Sequence, residues 1–261
     1  MTRLGVNIDH VATVRNARGE HHPDPYYAAL QVMKMGANSV TIHLREDRRH
    51  INDLDAKKIC KSNKILVNLE ISMNDKIVKN ALKIKPDYIC IVPENRKEVT
   101  TEGGLNLTKN KNRLKDIIKK FKKKNIRTSL FINPSIRDIK LSKKLNIDCV
   151  EIHTGKISNL VKLKKNFHNE LERIKKSSIL AKKLEIEVHA GHGLDYKTTK
   201  ILNKIKEIEV HAGHGLDYKT TKILNKIKEI EEFNIGHYII GESIFFGLSK
   251  VIKNFKKIIR K

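Results

Sequence analysis

Ser39-Val-Thr-Ile-His-Leu-Arg-Glu-Asp-Arg-Arg-His50 passes from an apolar strand into dense charge within a few residues. Ser39 to His43 reads as a short buried strand. From His43 onward come a histidine, three arginines, two carboxylates and a second histidine. A rigid strand that delivers charge at its C-terminal end is how an α/β enzyme supports its chemistry. A solvated loop rich in surface ion pairs is the plainer alternative.

The same alternation of apolar run and polar exit recurs on both sides of this stretch. Leu4-Gly-Val-Asn-Ile8 runs into Asp9-His10, followed by a loop with Arg15 and Arg18. Asp24-Pro25 suits the cap and first position of a helix reaching about Met35, with Gly36 as its stop. Ile65 to Leu69 is a third strand carrying Glu70 at its end, and Asn74 begins another helix. Tyr88 to Val92 is a fourth strand, and a long polar loop follows it from Pro93 to Leu105. A basic helix spans about Arg113 to Lys123. Thr128 to Ile132 is a fifth strand, Asn133-Pro134 begins a helix, and Cys149 to His153 is a sixth strand bearing Glu151. One long helix covers much of Leu160 to Leu184. Glu187 to Ala190 then leads into Gly191-His-Gly193. Tyr238 to Ile240 reads as the last strand, and a helix runs from about Ser243 to Arg260.

Strands alternating with helices imply a parallel sheet. Eight such units in about 240 residues match a (β/α)8 TIM barrel. A doubly wound open sheet is the competitor, but no G-x-G-x-x-G turn follows the first strand. No linker rich in Pro, Gly or Ser divides the 261 residues, so one domain is expected over residues 1–261.

One feature departs from this plan. Glu185 to Lys206 reads EIEVHAGHGLDYKTTKILNKIK, and Glu207 to Lys228 repeats those 22 residues without a difference. Each copy is about one strand plus one helix. A barrel closes only when strand number, tilt and shear agree, so one copy is expected to be extruded at the face opposite the active site. The compact connection from His214 to Gly236 favours the second copy as the seventh barrel strand.

The formal charge of +25 invites a nucleic-acid reading. With no tryptophan and only 5% aromatic residues, base-stacking platforms are lacking, and the lysines are spread over every helix. A basic field equally suits small anionic substrates such as phosphates. Cys60, Cys90 and Cys149 are far apart in or beside apolar segments, which fits buried free thiols and a reducing compartment. No apolar run approaches the length of a membrane span and no signal peptide opens the chain, so a cytoplasmic protein without a membrane partner is expected.

On the barrel reading, polar residues at strand ends converge on one mouth: Asn7, Asp9 and His10; His43 and Arg45; Glu70; Glu151; and His192 or His214. Two glutamates and several imidazoles around one cavity can move protons both ways near neutral pH. Gly191-His-Gly193, and Gly236 with His237, suit a phosphate held by backbone N–H groups and a helix N-terminus. Arg18, Arg45 and His50 offer cationic donors for a second anion. His189-x-x-His192 raises a metal reading. Those side chains would sit on a strand and its following loop and point apart, so no metal is assigned.

Several stretches resemble the pyridoxine 5′-phosphate synthase family. They are Gly5-Val-Asn-Ile-Asp-His10, Ala12-Thr-Val-Arg-Asn-Ala-Arg-Gly19, Thr41 to Ile51, Val92-Pro-Glu94, Glu98 to Gly104, Glu151-Ile-His-Thr-Gly155, Ala190-Gly-His-Gly-Leu194 and Asn234-Ile-Gly-His237. The resemblance implies a ring closure without cofactor or metal, joining 3-amino-2-oxopropyl phosphate to 1-deoxy-D-xylulose 5-phosphate to give pyridoxine 5′-phosphate, phosphate and water. It implies His43 and Glu70 as proton acceptors, the histidine of Ala-Gly-His-Gly (His192 or His214) as proton donor, and Glu151 as a stabiliser of transition-state charge. Asn7, Arg18, the glycine after the donor (Gly193 or Gly215), Gly236 and His237 would hold the amino-ketone phosphate. Asp9, His10, Arg45, His50 and Thr100 would hold the deoxyxylulose phosphate. It also implies a homo-octamer built from dimers. The competing reading is a catalytically impaired, basic binding protein on the same barrel, motivated by the charge and the duplication.

Overall fold

Side chains alternate across each strand, and burial follows that alternation. In strand β2 (Ser39–Leu44), Val40, Ile42 and Leu44 are fully buried on the side that meets the helices, while His43 turns to the opposite side. Strand β3 (Val67–Ile71) does the same with Val67, Leu69 and Ile71 outward and Glu70 inward. A sheet whose outer face is Val, Ile and Leu needs a helical cover, and its polar inner face needs a closed or solvated interior.

The computed structural model describes residues 3–94, 103–191, 201–202, 205, 209–213, 216–225 and 230–259. Besides β2 and β3, its strands are β1 (Arg3–Asn7), β4 (Tyr88–Ile91), β5 (Arg127–Ile132), β6 (Cys149–His153), β7 (Glu187–Gly191), β8 (Glu209–Gly213) and β9 (Ile230–Ile235). They close into a parallel barrel in chain order, β9 pairing back onto β1 through Gly5 and Asn234. At that seam Gly5 is required for space. A Cβ there would lie 1.8 Å from the Asn234 side-chain oxygen.

Helices cover the barrel: α1 (Asp9–Arg18), α2 (Pro25–Lys34), α3 (Asp53–Cys60), α4 (Asp75–Ile84), α5 (Lys111–Lys122), α6 (Ile136–Lys144), α7 (Gly155–Lys162), α8 (His168–Lys183), α9 (Tyr218–Leu224), α10 (His237–Phe246) and α11 (Leu248–Ile259). Their starts follow local chemistry. The Asp24 carboxylate accepts the Tyr26 N–H at 2.9 Å ahead of α2, with Pro25 in the first turn. Asn52 and Asp55 form a reciprocal capping box on α3. Among the described residues, no helix is long and apolar enough to cross a membrane.

The α/β barrel architecture matches the expectation, but the extrusion of one duplicated copy does not. β7 and β8 carry the same Glu-Val-His-Ala-Gly sequence, and both are barrel strands, so nine strands close the sheet. β7 pairs with β6 and β8 with β9, and the two copies pair with each other through His189–Glu209 and Ala190–Val210. Identical strands make identical claims on the sheet, and an expelled one would leave backbone donors and acceptors without strand partners. The β8–β9 pairing carries a register shift at Val210/His211.

Three further corrections are local. The segment with Arg15 and Arg18 is helix α1, stopped by Gly19 at φ +70°. The long helix over Leu160 to Leu184 is two, α7 and α8, interrupted where Lys164 adopts a left-handed conformation. Tyr238 to Ile240 lies in α10, and the last strand is the earlier Ile230 to Ile235. A short apolar run does not distinguish strand from buried helix. In β9 the polar Glu232 and Asn234 alternate with the buried Phe233 and Ile235.

Candidate active site

Strands β1 to β4 bring their polar ends together at the C-terminal mouth of the barrel. Asn7 and Asp9 lock each other at the exit of β1: the Asn7 amide donates to Asp9 Oδ2, and the Asp9 N–H donates to Asn7 Oδ1, both at 3.0 Å. Asp9 Oδ1 then accepts the His43 backbone N–H at 2.9 Å, tying β1 to β2. Burial pushes the Asp9 carboxyl up to about 6, against these hydrogen bonds and the nearby His43 and Arg45 charges.

His43 sits between two carboxylates. Its Nε2 lies 2.9 Å from Glu94 Oε1, and its Nδ1 lies 3.6 Å from Glu70 Oε2. Burial alone would lower its basicity. The Glu94 hydrogen bond and the charges of Glu70, Glu94 and Asp9 outweigh that and hold it above the ordinary histidine value. Glu70 is pushed up to about 7, first by burial and then by the Asp9 and Glu151 charges, while His43 and Arg45 oppose the shift. A carboxyl raised toward neutrality beside an imidazole can exchange a proton with it near neutral pH.

His50 is a different kind of group. Its Nδ1 accepts the Ile51 N–H at 2.9 Å, so the ring is neutral with its proton on Nε2. Burial and the charges of His43 and Arg45 lower it to about 4. The 3.9 Å approach of its Nδ1 to Asp9 is therefore no ion pair. The loop carrying His50 is held from α1, whose Asn16 amide donates to the His50 carbonyl at 2.8 Å. Beneath it, Arg15 forms a buried two-pronged pair with Asp55 at 2.7 and 2.8 Å.

On the other side of the seam, Gly236 precedes α10 so closely to β1 that a Cβ there would lie 3.0 Å from Asn7 Cβ. His237 opens α10, and its ring stands 5.1 Å from that of His10. The start of a ten-residue helix beside Asn7 and two histidines is a fitting seat for an anion. Glu151 projects inward from β6 between Phe131 and His189 in register, and burial raises its carboxyl while the His189 charge lowers it.

Of the sequence-derived candidates, the structure assembles Asn7, Asp9, His43, Arg45, Glu70 and His50 in one cluster, with His10, Gly236 and His237 at its edge. Arg18 is exposed at the end of α1 and joins no described partner. Thr100, His192, Gly193, His214 and Gly215 lie outside the described residues. Glu94 is the functional group that the sequence-derived set lacked. Its signal was the Val92-Pro-Glu94 exit of β4, the same strand-end position that drew attention to Glu70.

At the opposite end of the barrel, Cys149, Glu187 and His189 bring donor atoms within 4.8 Å of one another. His189 directs Nδ1 to Cys149 at 3.5 Å and Nε2 to Glu187 at 2.6 Å, and Arg127 pairs with Glu187. With both ring nitrogens and the carboxylate engaged, the group reads as a hydrogen-bonded chain that closes the barrel floor.

Comparison with known proteins agrees with this geometry. The model of the family described as pyridoxal phosphate biosynthesis protein PdxJ matches residues 4–209 and 206–261, the break falling at the duplication. The chain is 62% identical over 261 residues to pyridoxine 5′-phosphate synthase from Pelagibacter ubique, covering all of both chains. It is 40% identical to the enzyme of that name from Aquifex aeolicus, covering 99% of each. Among solved structures, N-(5′-phosphoribosyl)anthranilate isomerase from Pyrococcus furiosus superposes with a TM-score of 0.55 at 12% identity, covering 99% of this chain and 98% of that one. That likeness carries the barrel fold alone. By family match and by full-length identity, the chain belongs to the pyridoxal phosphate biosynthesis protein PdxJ family.

Proposed function

We propose that this protein is a pyridoxine 5′-phosphate synthase, condensing 3-amino-2-oxopropyl phosphate with 1-deoxy-D-xylulose 5-phosphate. The observation that carries the reading is the Glu70–His43–Glu94 array at the barrel mouth, with Glu70 pushed to about 7. Joining an amine to a ketone, dehydrating the adduct and aromatising the ring calls for repeated proton removal and return at several atoms. His43 and Glu70 accept protons from carbon and nitrogen, and they can exchange them with each other. The histidine of Ala-Gly-His-Gly, from one of the two copies, returns a proton to departing hydroxyl groups. Glu151 supports positive charge as the amine nitrogen becomes iminium-like.

Two phosphorylated substrates need two anion seats. By the family resemblance, Asn7, Arg18, Gly193 or Gly215, Gly236 and His237 would hold the amino-ketone phosphate. Asp9, His10, Arg45, His50 and Thr100 would hold the other. The deoxyxylulose hydroxyls would meet Asp9 and the neutral His50, which can donate from Nε2 while Nδ1 stays occupied. Within this reading the reaction uses neither cofactor nor metal, and the enzyme works in the cytoplasm as a homo-octamer built from dimers. The consecutive exposed Ile244, Phe245 and Phe246 on α10 support self-association.

The test is turnover. Purified protein with both substrates and no added metal should form pyridoxine 5′-phosphate, and His43→Ala or Glu70→Gln should cost about 10²-fold or more. Absence of product from the wild-type chain, or activity abolished by chelator and restored by zinc, would overturn the assignment.

A further inference from the structure

Glu94 is buried to a degree unusual for a carboxylate beside a barrel mouth, its side chain 4% exposed. Three of its contacts face β2 and the loop after it. Oε1 meets His43 Nε2 at 2.9 Å, Oε2 accepts the Glu46 N–H at 3.0 Å, and Arg45 Nη2 stands 3.9 Å away. Glu46 is itself fastened to the β3 exit, accepting from Ser72 Oγ at 2.8 Å and Asn74 Nδ2 at 3.1 Å. Glu94 is thus gripped from β2 while its own strand is anchored by the Val92 N–H to the Ile71 carbonyl at 2.9 Å.

We propose that Glu94 is a positioning residue for proton exchange at His43, fixing the ring so that Nε2 carries the resident proton and Nδ1 is the nitrogen that faces Glu70 and the substrate. The inference rests on the reading of His43 as the base. A carboxylate can only accept from a ring nitrogen, so the Glu94 contact assigns the Nε2–H tautomer to neutral His43. The lone pair of Nδ1 then points toward Glu70 at 3.6 Å, a gap that leaves access to a substrate C–H or N–H. When Nδ1 takes that proton, the imidazolium lies between two carboxylates, and Glu94 stabilises the new charge without taking a proton itself. Burial works against a charged Glu94, yet the hydrogen bonds from His43 and Glu46 and the charges of His43 and Arg45 keep it below its ordinary value. It therefore stays an acceptor where Glu70 titrates. The two carboxylates divide the labour: one orients, the other exchanges.

The experiment combines kinetics with ¹⁵N NMR of histidine-labelled protein for wild type, Glu94→Gln, Glu94→Ala and a His43→Gln reference that assigns the signal. In wild type the His43 signal should report the Nε2–H tautomer. Glu94→Gln keeps an acceptor but removes the charge. It should retain the tautomer, lower the His43 midpoint and reduce kcat by about 10-fold with KM within about 2-fold. Glu94→Ala should mix the tautomers and reduce kcat by about 10²-fold. A purely structural Glu94 would change melting temperature while leaving the tautomer and the pH profile in place, and that result overturns the proposal. So does an Nδ1–H tautomer in wild type. Should wild type make no product, the functional reading fails, and the NMR arm still decides whether Glu94 sets the state of His43. Should Glu94→Ala fail to fold, Glu94→Gln decides alone.

Discussion

Replacing Glu70 by Gln should make the protein more stable and much less active, and pH should separate the two effects. The Glu70 carboxyl is displaced from its ordinary 4.5 to about 7 by burial and by the Asp9 and Glu151 charges. A folded-state value above the unfolded one means that the folded protein holds the proton more tightly. That contribution to stability is complete below about 4.5 and is lost as pH rises through about 7. The interval is worth at most about 3 kcal/mol. Glu70 retains 29% side-chain exposure toward the mouth, where water relieves part of the burial. That leaves about 1–2 kcal/mol. In a chain of this size, each kcal/mol moves the melting temperature by about 2–4 °C. At pH 8.5, where the Glu70 carboxyl has lost its proton, Glu70→Gln should therefore melt about 2–8 °C above wild type. At pH 4.5 the wild-type carboxyl already carries its proton, so the two proteins should melt together. Scanning calorimetry at both pH values, with turnover measured in parallel, tests this. Equal shifts at both pH values would mean that packing and not charge is responsible. A Glu70→Gln protein less stable than wild type at pH 8.5 would refute the reasoning.

Arg15→Met leaves Asp55 as a buried carboxylate without its guanidinium partner and should cost about 3–5 kcal/mol, read by urea denaturation; a loss under about 1 kcal/mol would contradict the burial of the pair. His50 is already neutral at physiological pH, with a value near 4. His50→Gln should accordingly raise KM without moving the acidic limb of the kcat profile, and a displaced limb would show that His50 titrates in the working range. For the duplicated block, His192→Ala and His214→Ala should differ in their effect on kcat. The expected larger loss is with His214→Ala, since β8 pairs with β9 and hence with the strand that leads to Gly236; a loss confined to His192→Ala would reverse that assignment.

Much of this arrangement was legible from residue order because strand ends advertise themselves. Thr41-Ile-His43 and Val67-Asn-Leu-Glu70 place apolar side chains outward and a titratable one at the exit, and the structure brings His43 and Glu70 to 3.6 Å. Asp24-Pro25, Asn74 and Gly36 marked helix limits because each solves a backbone problem that few residues solve. Tyr238-Ile-Ile240 was misread because three apolar residues carry no period, and Glu232 and Asn234 hid the true strand by being polar inside the barrel. Glu94 was invisible as a partner of His43 for another reason. Fifty residues and a strand pair separate them, and only closure of β2, β3 and β4 into one wall brings the carboxylate onto Nε2.

The duplication is confined to one arc of the barrel, and that location decides what it can disturb. Asn7, Asp9, His43, Arg45, His50, Glu70 and Glu94 come from β1 through the exit of β4, an uninterrupted run of neighbours. Their hydrogen bonds to one another are made within that wall, away from the strand added between β6 and β9. In an eight-stranded barrel a single strand would stand beside both Glu151 on β6 and Gly236 after the last strand. Here two strands share that duty, β7 beside Glu151 and β8 beside β9, separated by one strand spacing of about 4.8 Å. Each of the two identical strands thus adjoins only one of the two groups that a single strand would serve together. The Glu70–His43–Glu94 array is therefore built away from the repeat, and on the proposed roles the ninth strand bears on the proton donor alone.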